Sequence, residues 1–275
     1  MNRFSIFILG CLAVSIFTIS CSSNSSEEVN TDPFESLESE LEAYSASFVT
    51  QETKGPFWKT LGNVVMADAL GAAVGSSYLG AGAGVLTGVL ASFTCLVVNV
   101  TIDATESNST NLQDYYQSGT YLNEDSPSAD KYDSIGIVHN RIITKLLDNN
   151  NIQSISEADI ETLVSNAVKD EGYDVPALER KDINFVKSLS KMSSTEEMIT
   201  AVEDSYPIMK EELKIVKIYT GAIANIDEEN LEDYSAGFKD IVDKSSIDSN
   251  SKKTVKSAVS VAGNSNVLWN KELLN

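Results

Sequence analysis

The chain has 275 residues, 42% of them hydrophobic, and its 40 acidic side chains against 20 basic ones give a formal charge of −20. Its lysines and arginines are interleaved along the chain and form no basic patch that could neutralise phosphates, which excludes nucleic acid as a partner and disfavours contact with anionic headgroups. With one histidine and three cysteines, no zinc-type ligand spacing can be assembled, so no metal and no cofactor are expected.

In chain order, Met1-Asn2-Arg3 precede an apolar stretch from Phe4 to Ile19, broken only by Ser5, Gly10, Ser15 and Thr18 and ending at Ser20 and Cys21. A short basic start, an apolar run and a small residue before a cut describe a secretion signal, too short and too closely followed by polar residues for a permanent span. Ser22 to Asn30 follow, polar and without an aromatic residue, and read as a flexible tether.

The junction Thr18-Ile19-Ser20-Cys21 resembles the lipobox of bacterial lipoprotein precursors, departing from it at Thr18, where leucine is usual. The serine-rich acidic tether looks like those of Bacteroidota lipoproteins. The resemblance implies cleavage before Cys21, a diacylglyceryl thioether on its sulfur and a palmitate-type acyl chain on the new amino terminus. Several chains on one residue anchor stably, because each buried CH₂ contributes roughly 0.8 kcal/mol and one chain alone is marginal. The expected location is therefore the cell envelope, with the membrane as a partner through lipid. Cys11 falls within the signal, so with Cys21 acylated no internal disulfide is expected for Cys95. Cleavage leaves roughly 255 residues, enough for one large or two small cores.

From Asp32 the signals are helical. Asp32 is placed to cap, Pro33 to occupy the first helical position, and Phe34, Leu37, Leu41, Tyr44 and Phe48 recur on one face. Leu61 to Val100 is the unusual segment, with no charge between Asp68 and Asp103 and with Gly71, Gly75, Gly80, Gly84 and Gly88 in small-xxx-small steps that let backbones approach closely. Three states are open for it: a buried helical hairpin turning near Gly80-Ala81-Gly82, a transmembrane helix over Leu79 to Val98, or a membrane-active element resembling the glycine-rich helices of some bacteriocins and pore formers. The buried hairpin is favoured, since a span would return the C-terminal region across the membrane and the flanking charges oppose it.

Thr101 to Asp130 reads as a polar linker. Beyond it, helical stripes run through Ile135, Val138, His139, Ile142 and Leu146, and through Ile160, Leu163, Val164, Ala167 and Val168. The second is preceded by a capping-box pattern at Ser156 and Asp159 and closed by Gly172. More follow at Met209 to Ile223, Leu231 to Ile241, and Val255, Ala258, Val259 and Ala262. The expected fold is all-α, an irregular antiparallel bundle with a glycine-rich apolar hairpin. Its divisions are 1–20 signal, 21–31 lipidated tether, 32–103 amphipathic helix plus glycine-rich segment, 104–130 linker and 131–275 C-terminal helical domain.

Catalytic signals are missing from the pattern. His139 lies on an apolar stripe, where a core histidine is the simple reading, and no G-x-S-x-G turn, phosphate loop or dinucleotide glycine pattern accompanies it. Acidic pairs such as Glu196/Glu197 suit solvated faces and first turns of helices. The expected role is binding or structural interaction without catalysis, the alternative being a membrane-active effector working through residues 61–100.

Overall fold

The computed structural model describes residues 32–49, 56–103, 131–149 and 154–269. The signal, the tether, Cys21 and the expected linker over 104–130 lie outside the described residues. Within them the fold is all-α, without strands: α1 Pro33–Ala46, α2 Pro56–Leu79, α3 Ala81–Asp103, α4 Ile135–Asn149, α5 Ile160–Asp170, α6 Arg180–Leu189, α7 Thr195–Ser205, α8 Lys210–Ile223, α9 Glu228–Lys244 and α10 Ser249–Leu268.

The centre is the hairpin of α2 and α3, 24 and 23 residues long. The chain reverses at Gly80 with φ 84°, a left-handed conformation that favours glycine. From Leu61 to Ser76 and from Ala83 to Val97 nearly every side chain is buried, so a helix that is apolar almost all round finds partners on all faces. On the other side of α2 lies α10, and α3 is covered by α4, α5 and α6. Among the described residues no helix is long and apolar enough to cross a membrane.

The least obvious element is α10. Every side chain from Thr254 to Leu268 is buried, including Ser257, Ser260, Asn264, Ser265 and Asn266. Small residues let the helix lie close to α2 and α4, at the cost that each polar group must find a partner inside. Ser260 Oγ donates to the carbonyl of Asp133 and accepts from the Gly136 amide at 3.0 Å. That contact satisfies one of the amide groups that the first turn of α4 leaves open. Gly136 has to be glycine for this, since a Cβ there would collide with the Ser260 carbonyl.

Local chemistry sets the remaining elements. The Asp32 carboxylate accepts from the Phe34 amide at 2.9 Å and caps α1. The buried face of α1, Leu37, Leu41 and Ser45, rests on α8 and α9. There Tyr44 stacks on Tyr234 with centroids 5.6 Å apart, and Ser45 Oγ meets the Tyr234 hydroxyl at 2.7 Å. Gly172, at φ 83°, closes α5 as expected. The capping pattern before α5 works differently: Ser156 Oγ donates to the Asp159 carboxylate at 2.5 Å, and Asp159 makes no capping bond to the backbone. The described residues from Asp32 to Trp269 belong to one compact unit, so the segments before residue 104 and after residue 130 share a core.

Candidate functional site

The five glycines singled out by spacing do different jobs. Gly71, Gly75 and Gly84 sit where α2 and α3 touch: a Cβ on Gly71 would lie 2.7 Å from the Thr87 carbonyl oxygen, one on Gly75 would strike the Ala83 carbonyl, and one on Gly84 the Ser76 hydroxyl. The Thr87 hydroxyl bridges the hairpin, 2.6 Å from the Gly71 carbonyl. Gly80 makes the turn. Gly88 has ordinary room, its nearest neighbour being the Ala72 methyl at 3.4 Å from an added Cβ.

A polar centre lies inside the bundle. Asp68 of α2 is fully buried, and its Oδ2 accepts from Ser92 Oγ of α3 at 3.0 Å and from Ser265 Oγ of α10 at 2.6 Å. His139 of α4, also fully buried, places Nε2 3.8 Å from the same oxygen. Asn140 Nδ2 donates to the Asn264 carbonyl at 2.8 Å, which orients its Oδ1 to accept from His139 Nδ1 at 3.1 Å. The Nε2 lone pair then faces the carboxyl group of Asp68. Burial pushes the Asp68 carboxyl up to about 8, with the Ser265 and Ser92 hydroxyls and the Trp269 indole pulling the other way. Burial pushes the imidazole down to about 4 against the Asn140 side chain and the Gly88 backbone. At neutral pH both groups are therefore mostly uncharged, which is how such a pair tolerates an apolar interior. With both side chains wholly enclosed, no substrate can meet them, and His139 is a core histidine with a carboxyl neighbour that the stripe alone did not reveal.

A second buried cluster is charged. Lys256 Nζ lies 2.9 Å from Asp133 Oδ2 and 3.0 Å from Asp243 Oδ2, and Lys239 Nζ lies 3.9 Å from Asp133 Oδ1. It ties α9 and α10 to the turn before α4, with Asp133, Lys239 and Lys256 buried and Asp243 reaching the surface.

The surface offers a cleft of about 650 Å³ at the tip of the hairpin, a volume typical of small-molecule sites. The last turn of α2 forms one wall with Val74, Gly75, Tyr78 and Leu79, while α6, the end of α7 and Tyr206 form the other. Three rings run along it: Tyr78 and Tyr206 with centroids 5.7 Å apart, and Phe185 edge-on to Tyr206 at 5.1 Å. The Tyr206 hydroxyl donates to Asp182 Oδ1 at 2.8 Å, and burial and that carboxylate push its pKa up, so the hydroxyl keeps its proton. Lys181, the cleft's one basic lining residue, pairs with Glu179 at 3.0 Å. At the rim Tyr78 is 55% exposed and Leu79 50%, unusual values for such large apolar groups.

Of the cleft residues only Gly75 stands out from spacing. Tyr78 and Leu79 were visible only as two large residues beside the turn glycine, and α6 carried no stripe long enough to place Asp182 and Phe185. Among the described residues no group of histidine, cysteine and acidic side chains is arranged to hold a metal ion. No protein-family model, no curated protein and no solved structure matches the chain.

Proposed function

We propose that the protein is a lipid-anchored binding protein of the bacterial cell envelope, held through Cys21, that captures its ligand in the aromatic cleft at the tip of the α2–α3 hairpin. The observation that carries the binding role is the cleft itself, an opening between helices with three aromatic rings along it and exposed Tyr78 and Leu79 at its edge. Ligand sites combine apolar walls with a few fixed polar groups, and here Asp182 and the Tyr206 oxygen supply them. Binding is favoured over catalysis because the acid–base pair Asp68 and His139 is enclosed, while Tyr206, the shifted group at the opening, is a hydroxyl that burial and Asp182 hold protonated.

Two measurements test the two halves of the proposal. A Cys21→Ala chain is expected in the soluble fraction, whereas its retention in membranes would point to residues 61–100 as a second membrane element. A ligand-observed NMR screen of small organic probes is expected to find binders whose signal is lost in Tyr206→Ala. A screen in which no binder depends on Tyr206 would sink the cleft as the binding site.

A second reading, a membrane-active effector, draws on the enclosure of an apolar hairpin by amphipathic helices, so that a hidden segment awaits release. Liposomes that stay intact with the full chain at acidic and neutral pH would remove it.

A further inference from the structure

Resting on the cleft as the binding site, we infer that its ligand is an organic cation carrying a quaternary or protonated ammonium group, held between the aromatic rings and the carboxylate of Asp182. Three independent features of the cleft point to positive charge. The first is polarity. Tyr206 spends its only hydrogen on Asp182, so both groups present acceptor oxygens to a ligand. Of the charged lining residues Glu179, Lys181 and Asp182, the lysine is already matched by Glu179, which leaves the Asp182 charge in excess.

The second is the direction of the helices. Both α2 and α7 end at the cleft, where Leu79 and Ser205 are their last residues, and neither carries a basic residue in its last turn. The negative ends of two helix dipoles therefore reach the opening without a basic residue of their own, that of α2 offset in part by the positive end of α3, which begins at Ala81. The first turn of α6 brings the opposite dipole end, but its own Asp182 and the preceding Glu179 answer it.

The third is the aromatic lining. Tyr78, Phe185 and Tyr206 offer ring faces and edges within about one side chain's reach of Asp182, and the electron-rich face of an aromatic ring attracts a cation within roughly 6 Å of its centroid. A strongly hydrated metal ion gains little from rings, whereas an alkylated ammonium matches both rings and carboxylate.

Isothermal titration of the Cys21→Ala chain with choline, with its neutral isostere 3,3-dimethylbutan-1-ol and with the anion 3,3-dimethylbutanoate tests the charge of the ligand. Choline is expected to bind at least about tenfold more tightly than the alcohol, with the anion weakest. Asp182→Asn and Tyr206→Ala should each weaken choline at least about fivefold, while Tyr206→Phe, which keeps the ring and releases the carboxylate, should hold affinity within about threefold. Circular dichroism checks that each variant keeps its helices. Phosphatidylcholine vesicles form a second arm: competition with choline assigns a lipid headgroup as the source, and no competition assigns a free solute. Equal binding of the alcohol and choline overturns the cation while leaving a Tyr206-dependent site. Tyr206-dependent binders from the NMR screen without any choline binding do the same.

Discussion

Ser265 and Asp68 stand 197 positions apart in the chain and meet at 2.6 Å inside the bundle, where the serine hydroxyl donates to a carboxyl group with no access to water. The contact joins α10 to α2 and makes the stability of the bundle depend on a proton.

The folded state holds Asp68 protonated up to about 8 against an ordinary value of 3.8, so stability is full below 3.8 and is lost as pH rises through 8. His139 has the opposite sign: at about 4 instead of 6.5, its contribution is present above 6.5 and is lost as pH falls through 4. Between about 4 and 6.5 the two slopes cancel, and between about 6.5 and 8 only the Asp68 loss remains, about 1.4 kcal/mol per pH unit. Asp68→Asn is therefore expected to remove the loss above pH 6.5, to expose the rise between 4 and 6.5, and to be more stable than wild type above pH 8. Urea unfolding at a series of pH values measures this, and parallel curves for the two proteins would contradict it.

Lys256 pairs with the buried Asp133 at 2.9 Å and with Asp243, whose side chain is 35% exposed, at 3.0 Å. Lys256→Ala is expected to cost about 3–5 kcal/mol because uncompensated charge stays inside. Lys256→Met combined with Asp133→Asn should recover part of that loss, since the Lys256–Asp133 pair is then neutral, while buried Lys239 loses the Asp133 charge 3.9 Å away. A double variant no more stable than Lys256→Ala in thermal unfolding would show that the cost lies in packing and not in charge.

Among the glycines, a methyl group discriminates roles. Gly75→Ala and Gly84→Ala push a Cβ into the facing helix and should destabilise by roughly 1–3 kcal/mol or more. Gly221→Ala, in α8 with nothing within 4 Å of the new atom, should stabilise by about 0.5–1 kcal/mol through helix propensity. Gly88→Ala falls between the two, with an ordinary 3.4 Å contact. Equal effects at Gly75 and Gly221 would remove the close-packing role.

The all-α class, the hairpin, its turn at Gly80 and the stop at Gly172 were legible because they follow from local rules: apolar period, small-residue spacing and the freedom of glycine at positive φ. The capping of α1 by Asp32 was legible for the same reason. Burial of α10 was not. Its serines and asparagines have a surface composition, and only the facing groups Asp68, Asp133, Gly136 and Asn140, far away in the chain, make them core residues. Asp68 did carry a signal, as the last charge before a long apolar run, and a lone carboxyl in such a run calls for a buried partner. The cleft was illegible because Tyr78, Asp182, Phe185 and Tyr206 come from three separate parts of the chain.

The complete enclosure of α10 also sets an order of events for a chain built from its amino end. The α2–α3 hairpin is local and can close within microseconds of its synthesis, but the face of α2 that α10 covers stays wet until the final helix has been made. For that interval the nascent chain exposes an apolar surface that carries Asp68, which is a demand on chaperones and a window for aggregation. A chain ending at Asp248 never closes that window, and should be recovered as aggregate or in complex with a holding chaperone rather than as a shortened bundle.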